Sequence, residues 1–289
     1  MTTATLLLLL ASACLHVVAH IALKSARDPL ASLFWMLAFA AVACSPVLAT
    51  VPSPFPVEVL PFLVGSAFCE ALYYYAIARA YETGALSVVY PIARGSAPVL
   101  LLLWAWLILG ERPSALGELG ILAIALGLYC VQLPRLADWR APFHARGRNN
   151  AIPWALLAGL AISLYTTVDR RGVEHLAALP YTYLSLLLSW TILIPFILRR
   201  QTPGALRAEL AQSPLRLGIA GTTTLAAYVI VLEVMRQGAP ASYVGAVREV
   251  GVVLATGIGV LWFGEKGTPP RLLGSGLVVL GVAAIRLWG

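Results

Sequence analysis

Charge is scarce in these 289 residues: Asp, Glu, Lys and Arg together make up 11%, and only 13 residues are acidic. A water-soluble domain carries far more charge on its surface, so a soluble globular fold is excluded. Cysteine is limited to Cys14, Cys44, Cys69 and Cys130, all inside apolar runs and with no CxxC pair, which fits neither a disulfide framework nor a zinc knuckle. His16 and His20 share one helical face. A metal needs more ligands than these two, and no second His or Cys cluster supplies them, so no metal is expected. No nucleophile, base and orienting group fall at a catalytic spacing, so neither an enzyme nor a cofactor is expected. A long polar stretch is also missing. The longest connection, residues 134–151, carries Arg135, Arg140, Arg146 and Arg148 and reads as a basic linker.

What is present is apolar. Hydrophobic residues make up 60% of the chain and the mean hydropathy is +0.85, values of a polytopic membrane protein. At about 20 residues per span the length accommodates about ten helices and no soluble domain. Hydropathy and proline punctuation predict spans at 4–22, 30–50, 58–79, 85–109, 115–133, 152–171, 177–198, 215–236, 240–263 and 269–288. The N-terminal apolar run ends in Ala-Ser-Ala-Cys but lacks a basic n-region, so it reads as the first span rather than a signal peptide. The net charge of +7 comes from basic residues at helix ends and in loops, a membrane-topology signature, so no nucleic-acid partner is expected. Those residues concentrate in the odd-numbered connections, which the positive-inside rule places in the cytoplasm with both termini outside.

The chain is a duplication. A shift of 154 positions, without a gap, lays Tyr74 on Tyr228, Gly84 on Gly238, Arg94 on Arg248, Gly110-Glu111 on Gly264-Glu265, and Gly120 and Gly127 on Gly274 and Gly281. The first two spans match the sixth and seventh more weakly. Residues 1–133 and 152–289 thus form two halves of five spans each. An odd number of spans per half orients the halves oppositely, so the expected fold is an all-α membrane protein of ten helices in two inverted five-helix repeats. The paired glycines at seven-residue spacing permit close helix contact, either within the bundle or across a homodimer.

Arg94 is the anomaly around which the rest is arranged. It lies nine residues into the span from Ala85, roughly 13 Å deep, close to the midplane of a core about 30 Å thick. Arg248 occupies the matching place in the inverted half, so both should converge on one cavity and present planar donors to a carboxylate, phosphate or phosphonate. Glu249, beside Arg248, is counted with that site; Glu249, Glu70 or Asp169 could instead serve the arginines as structural salt-bridge partners. Pro91 and Pro98 free the carbonyls of Ser87 and Arg94, so the fourth helix is expected to loosen around Arg94. Tyr90 shares the face of Arg94, while Val244, Gly245, Ala241 and Gly251 offer small residues beside Arg248. Tyr74 and Tyr228, matched by the repeat, are further candidates to line the cavity. Ionisable groups inside a membrane mark proton pathways, and Glu70, His16 and Asp169 are the candidates for a coupling proton, with Glu70 the deepest.

The segments YETGALSVVYPIARGSAP with LGERPS and RQGAPASYVGAVREVG with FGEKGT resemble the drug/metabolite transporter superfamily, in its EamA-like branch, along essentially the whole chain. The resemblance implies a multi-pass secondary transporter of a bacterial inner membrane. It would work by alternating access, as an exporter of amino acids, their derivatives or organophosphonate-like metabolites. Its partners would be a small-molecule substrate and the bilayer, with proton or exchange coupling. Many ten-helix relatives have both termini in the cytoplasm, against the loop count. The small multidrug relatives hold a glutamate in their first helix, where this chain has His16 and His20, which disfavours the alternative of cationic drug or amine export. A non-transporting accessory subunit is the remaining alternative.

Overall fold

Prolines set the helix starts: Pro29, Pro203, Pro214 and Pro269 each occupy a first helical position, where a missing N–H costs little. The structure, a computed structural model, describes residues 1–24, 26–83, 86–131, 133, 135–139, 151–254 and 269–289. The backbone alone is described for 19–24, 29, 81–83, 86–88, 90 and 91. The helices are α1 (Thr3–Lys24), α2 (Pro29–Ala43), α3 (Leu60–Thr83), α4 (Leu86–Trp104), α5 (Ala115–Val131), α6 (Ala151–Gly172), α7 (Ala178–Arg200), α8 (Pro203–Gln212), α9 (Pro214–Arg236), α10 (Ala241–Val247) and α11 (Pro269–Trp288). Among the described residues six helices have the length and apolarity to cross a bilayer, and three shorter apolar ones accompany them. The expected linker falls largely on residues 140–150, outside the described residues, as does the second half of the ninth span.

Three departures from the expected spans have local causes. The second span stops at Ala43, because Pro46 starts a separate 3-10 segment over Ser45–Thr50. An additional helix, α8, precedes α9. It is too polar for a hydropathy scan, yet its Glu209 is buried against α2, accepting from Ser32 Oγ at 2.7 Å and pairing with Arg216 at 3.2 Å. Thirdly, α4 stays helical across Pro91 and Pro98 and widens only beyond them, in a π-helical turn over Ala105–Leu109. The backbone at Arg248 is what tightens instead, into a 3-10 turn over Arg248–Val250 that no proline announces.

Packing shows the inverted repeat directly. Helix α3 lies on α6 and α1 lies on α9; α3 meets α7 and α2 meets α9; α5 packs on α11 and α2 on α7. Exchanging the halves maps this set of neighbours onto itself, which is the property of a two-fold relation. The glycines fix its sense. A Cβ on Gly120 would come within 2.8 Å of the Gly281 carbonyl, and one on Gly281 within 2.5 Å of the Gly120 carbonyl; Gly127 and Gly274 meet at 2.6 and 2.5 Å in the same way. Gly120 pairs with the later glycine and Gly127 with the earlier one, so α5 and α11 run antiparallel. The glycine stripe therefore packs the two halves of one chain together and offers no dimer surface. The opposite face of α5 presents Leu116, Leu119, Leu122 and Leu126, exposed and three or four residues apart, to the lipid.

The repeated Gly-Glu at the end of the fourth span also has a structural reason. Gly110 ends the helix in the left-handed conformation, at φ 71°, which glycine adopts without a Cβ penalty. Glu111 then crosses to the other half and accepts from the N–H groups of Ala241 and Ser242 at 2.6 and 3.2 Å and from Ser242 Oγ at 2.6 Å. A carboxylate there satisfies donors that the start of α10 leaves open. The matching Gly264-Glu265 lies outside the described residues.

Two measurements check this packing. Gly127→Ala should lower stability by about 1–3 kcal/mol in thermal unfolding, because the methyl meets backbone that cannot step aside. Gly276→Ala, on the α11 face turned away from α5 and with open space at its Cβ, should leave stability unchanged or slightly raised. Glu111→Ala should cost about 0.5–2 kcal/mol through the lost cap of α10, and Glu111→Gln, which keeps one acceptor, should cost less.

Candidate functional site

Oppositely oriented halves bring α4 and α10 in from opposite sides, and each carries its arginine to the middle. Arg94 follows Leu86 by eight residues, about 12 Å along the helix, and Arg248 follows Ala241 by seven, about 10 Å. Between them stands Glu249. Its Oε2 lies 2.8 Å from Arg94 Nη2 and its Oε1 3.9 Å from Arg248 Nε. All three side chains are sequestered, at 11%, 7% and 2% exposure for Arg94, Arg248 and Glu249. Glu249 is thus the arginines' shared counter-ion. Two guanidinium groups around one carboxylate leave the triad one positive charge in excess.

A cavity of about 170 Å³ opens against this triad, with Arg94 and Arg248 in its wall. It is small beside the 300–1,000 Å³ typical of drug-sized ligand sites, so it suits a small solute. His16, Glu70, Tyr73, Tyr74, Tyr165 and Thr224 supply most of its remaining polar lining, and Leu33, Met36, Leu37, Ile77 and Leu225 are among its apolar walls. Aromatic rings form one side: Tyr73 contacts Tyr74 and Tyr165 at centroid distances of 5.0 and 6.3 Å, and Tyr165 stands edge-on to Tyr228 at 5.9 Å. The Arg248 guanidinium lies over the Tyr228 ring, 5.8 Å from its centroid, an arrangement that steadies the cation without consuming its N–H donors.

Asp169 sits deeper than its sequence position suggests. It lies near the end of α6 next to Arg170 and Arg171, yet it is fully buried, because those neighbours turn outward to Glu174 while Asp169 turns inward. Tyr181 Oη donates to its Oδ1 at 2.8 Å, and Tyr228 Oη donates to its Oδ2. It is a neighbour of the cavity rather than part of its lining. Val173, Leu176, Ala178, Tyr181, Val231, Leu232, Met235 and Tyr243 belong to one buried core, at the end of the bundle where α6 finishes and α7 and α10 begin. The described cavity lining extends the other way, to Leu30 at the start of α2 and Ala78 near the end of α3.

The structure therefore gathers Arg94, Arg248, Glu70, His16, Tyr74 and Tyr228 on one cavity, with Glu249 and Asp169 just behind its wall. The side chains of Tyr90 and His20 lie outside the described residues. The small residues beside Arg248 do not make room for a ligand: the space at Gly245 is taken by Leu101, Gly251 faces Ala13 and Val17 of α1, and Ala241 and Val244 belong to the buried core. Sequence reading passed over Tyr165 and the serines of α3 and α7. Ser66 with Glu70, and Ser185 with Ser189, are each four residues apart on one face, and that spacing was the available signal.

No curated protein matches the chain significantly. A solved structure described only as "Crystal structure of protein" superposes with a TM-score of 0.67 over 99% of both chains at 18% identity, a likeness of fold alone. The profile of the EamA-like transporter family matches residues 3–133 and again 149–287, so two copies of the family's unit account for nearly all of the sequence. The chain belongs to the EamA-like transporter family and is a multi-pass membrane protein.

Proposed function

We propose that this protein is a secondary transporter of small anionic or zwitterionic metabolites, such as amino acids or organophosphonate-like and phosphate-like compounds. The observation that carries this reading is the excess positive charge of Arg94, Arg248 and Glu249 at mid-membrane on the wall of a small cavity. A guanidinium in hydrocarbon is costly, and Arg248, held on an aromatic face beside a carboxylate already engaged by Arg94, keeps donors for an incoming acid group. The packed core behind Asp169 and the cavity on the other side of the triad support alternating access, with residues 1–133 and 152–289 as the units that rock about the central site. Export across a bacterial inner membrane, driven by protons or by exchange, is the direction and setting that we propose for it.

Thermal-shift screening of the purified protein against amino acids, organophosphonates, organophosphates and cationic amines tests the substrate class, since a ligand that prefers the folded state raises the melting temperature. Acids or zwitterions should raise it. A rise with amines alone would overturn the reading.

The arginines should separate by role. Arg248→Ala should weaken affinity for the identified solute about ten- to a hundred-fold, the worth of a charge-assisted hydrogen bond in a dry site, and Arg248→Lys should restore only part of it because the planar fork is gone. Arg94→Ala removes the close partner of Glu249 and leaves it only the 3.9 Å contact with Arg248, so it should cost up to about 3–5 kcal/mol of stability. Arg94→Ala combined with Glu249→Gln should regain that stability. If the double variant also kept full solute protection against unfolding, Arg94 would be a counter-ion only and the anion site would have to be assigned to Arg248 alone.

A further inference from the structure

We propose that Glu70 and Asp169 are the two ends of a proton relay, with Ser185 and Ser66 as the hydroxyls between them; the proposal rests on reading the chain as a transporter. Glu70 faces the cavity, whereas Asp169 is enclosed in the packed end of the bundle. Helix α3 places Ser66 and Glu70 on one face, and α7 places Ser185 and Ser189 opposite them, with all three serines buried. Ser185 Oγ donates to Ser66 Oγ at 3.1 Å. Ser66 is a neighbour of Asp169, and Ser185 and Ser189 are neighbours of Glu70.

Among the described serine and threonine hydroxyls of α6 and α7, that of Ser185 has an orientation of its own. Thr166, Thr167, Thr182 and Ser189 turn their hydroxyls back onto carbonyls of their own helices, three or four residues earlier. Ser185 instead reaches across to a hydroxyl on another helix, between the half-buried Glu70 on the cavity and the fully buried Asp169. The donor sense runs from the Glu70 end to the Asp169 end. A proton leaving the Glu70 carboxyl joins Ser185 Oγ as the Ser185 proton passes to Ser66 and the Ser66 proton passes to the Asp169 carboxylate. Both serines end neutral, Glu70 ends as a carboxylate and Asp169 as an acid.

The relay reaches the solute site through one residue. Tyr228 donates to Asp169 and carries Arg248 on its ring, so a proton arriving at Asp169 changes the charge that Tyr228 and Arg248 experience. The other titratable or charged groups facing the two carboxyls are Cys69 and Tyr74 of α3, Tyr165 of α6, Tyr181 of α7, Tyr228 of α9 and Arg248.

The test is time-resolved infrared spectroscopy of the protein in liposomes after a light-triggered proton release, with the carboxyl bands assigned through Glu70→Gln and Asp169→Asn. Protonation of Asp169 should slow about ten-fold, a barrier increase of about 1.4 kcal/mol, in both Ser185→Ala and Ser66→Ala. Protonation of Glu70 should keep its rate, and Ser185→Thr, which retains a hydroxyl, should behave like the unmodified protein. Unchanged Asp169 kinetics in both alanine variants would overturn the relay, whatever their melting temperatures, and leave the serines as helix-packing groups. No solute takes part, so this failure is distinct from a failure of the transporter reading, which the solute screen decides.

Discussion

One carboxylate shared by two guanidinium groups among packed apolar helices is the constraint on which the rest of the structure depends. Each arginine alone would be intolerable in hydrocarbon, and Glu249 alone would be equally so. Together they are compatible with burial only if the helices that carry them are held in fixed register, since a buried ion pair offsets its desolvation only in good geometry. The antiparallel glycine contacts of α5 with α11, the capping of α10 by Glu111 and the 3-10 turn at Arg248 all serve that register.

The duplication explains why the constraint can be met at all. A single five-helix unit places one arginine at mid-depth, and an inverted copy places a second at the same depth from the other side. The copies have since diverged where symmetry was of no use. Glu249 matches Gly95 in the first half, and this asymmetry is what leaves a single shared counter-ion instead of two self-contained pairs. Proline, too, is distributed unevenly, with Pro91 and Pro98 in the first repeat and an irregular backbone in the second. The result is an arginine–glutamate triad with one excess positive charge beside a cavity with apolar and aromatic walls.

Most of the architecture was legible in the sequence, because spans of lipid-facing apolar residues and an ungapped internal repeat are strong signals with few alternative meanings. The convergence of Arg94 and Arg248 followed from the same arithmetic. What escaped was decided by tertiary contact. Helix α8 was missed because its one consequential residue, Glu209, is buried by a partner on α2 and not by its own hydropathy. Asp169 ranked below Glu70 in depth because rotation about the helix axis, which separates it from Arg170 and Arg171, is invisible to a depth count. Gly245 and Gly251 read as room for a ligand, but an absent side chain is equally an invitation to a neighbouring helix, and Leu101 and α1 accepted it.

The central claim is that the mid-membrane arginines face an acid group of the solute. Solid-state magnetic resonance can address it through dipolar recoupling between the phosphorus of methylphosphonate and the guanidinium nitrogens of arginine-labelled protein in lipid. The account predicts short phosphorus–nitrogen contacts that vanish when Arg94 and Arg248 are both replaced, with the other arginines contributing nothing. Bound methylphosphonate whose phosphorus couples to no guanidinium nitrogen, or whose coupling persists in that double variant, would contradict it.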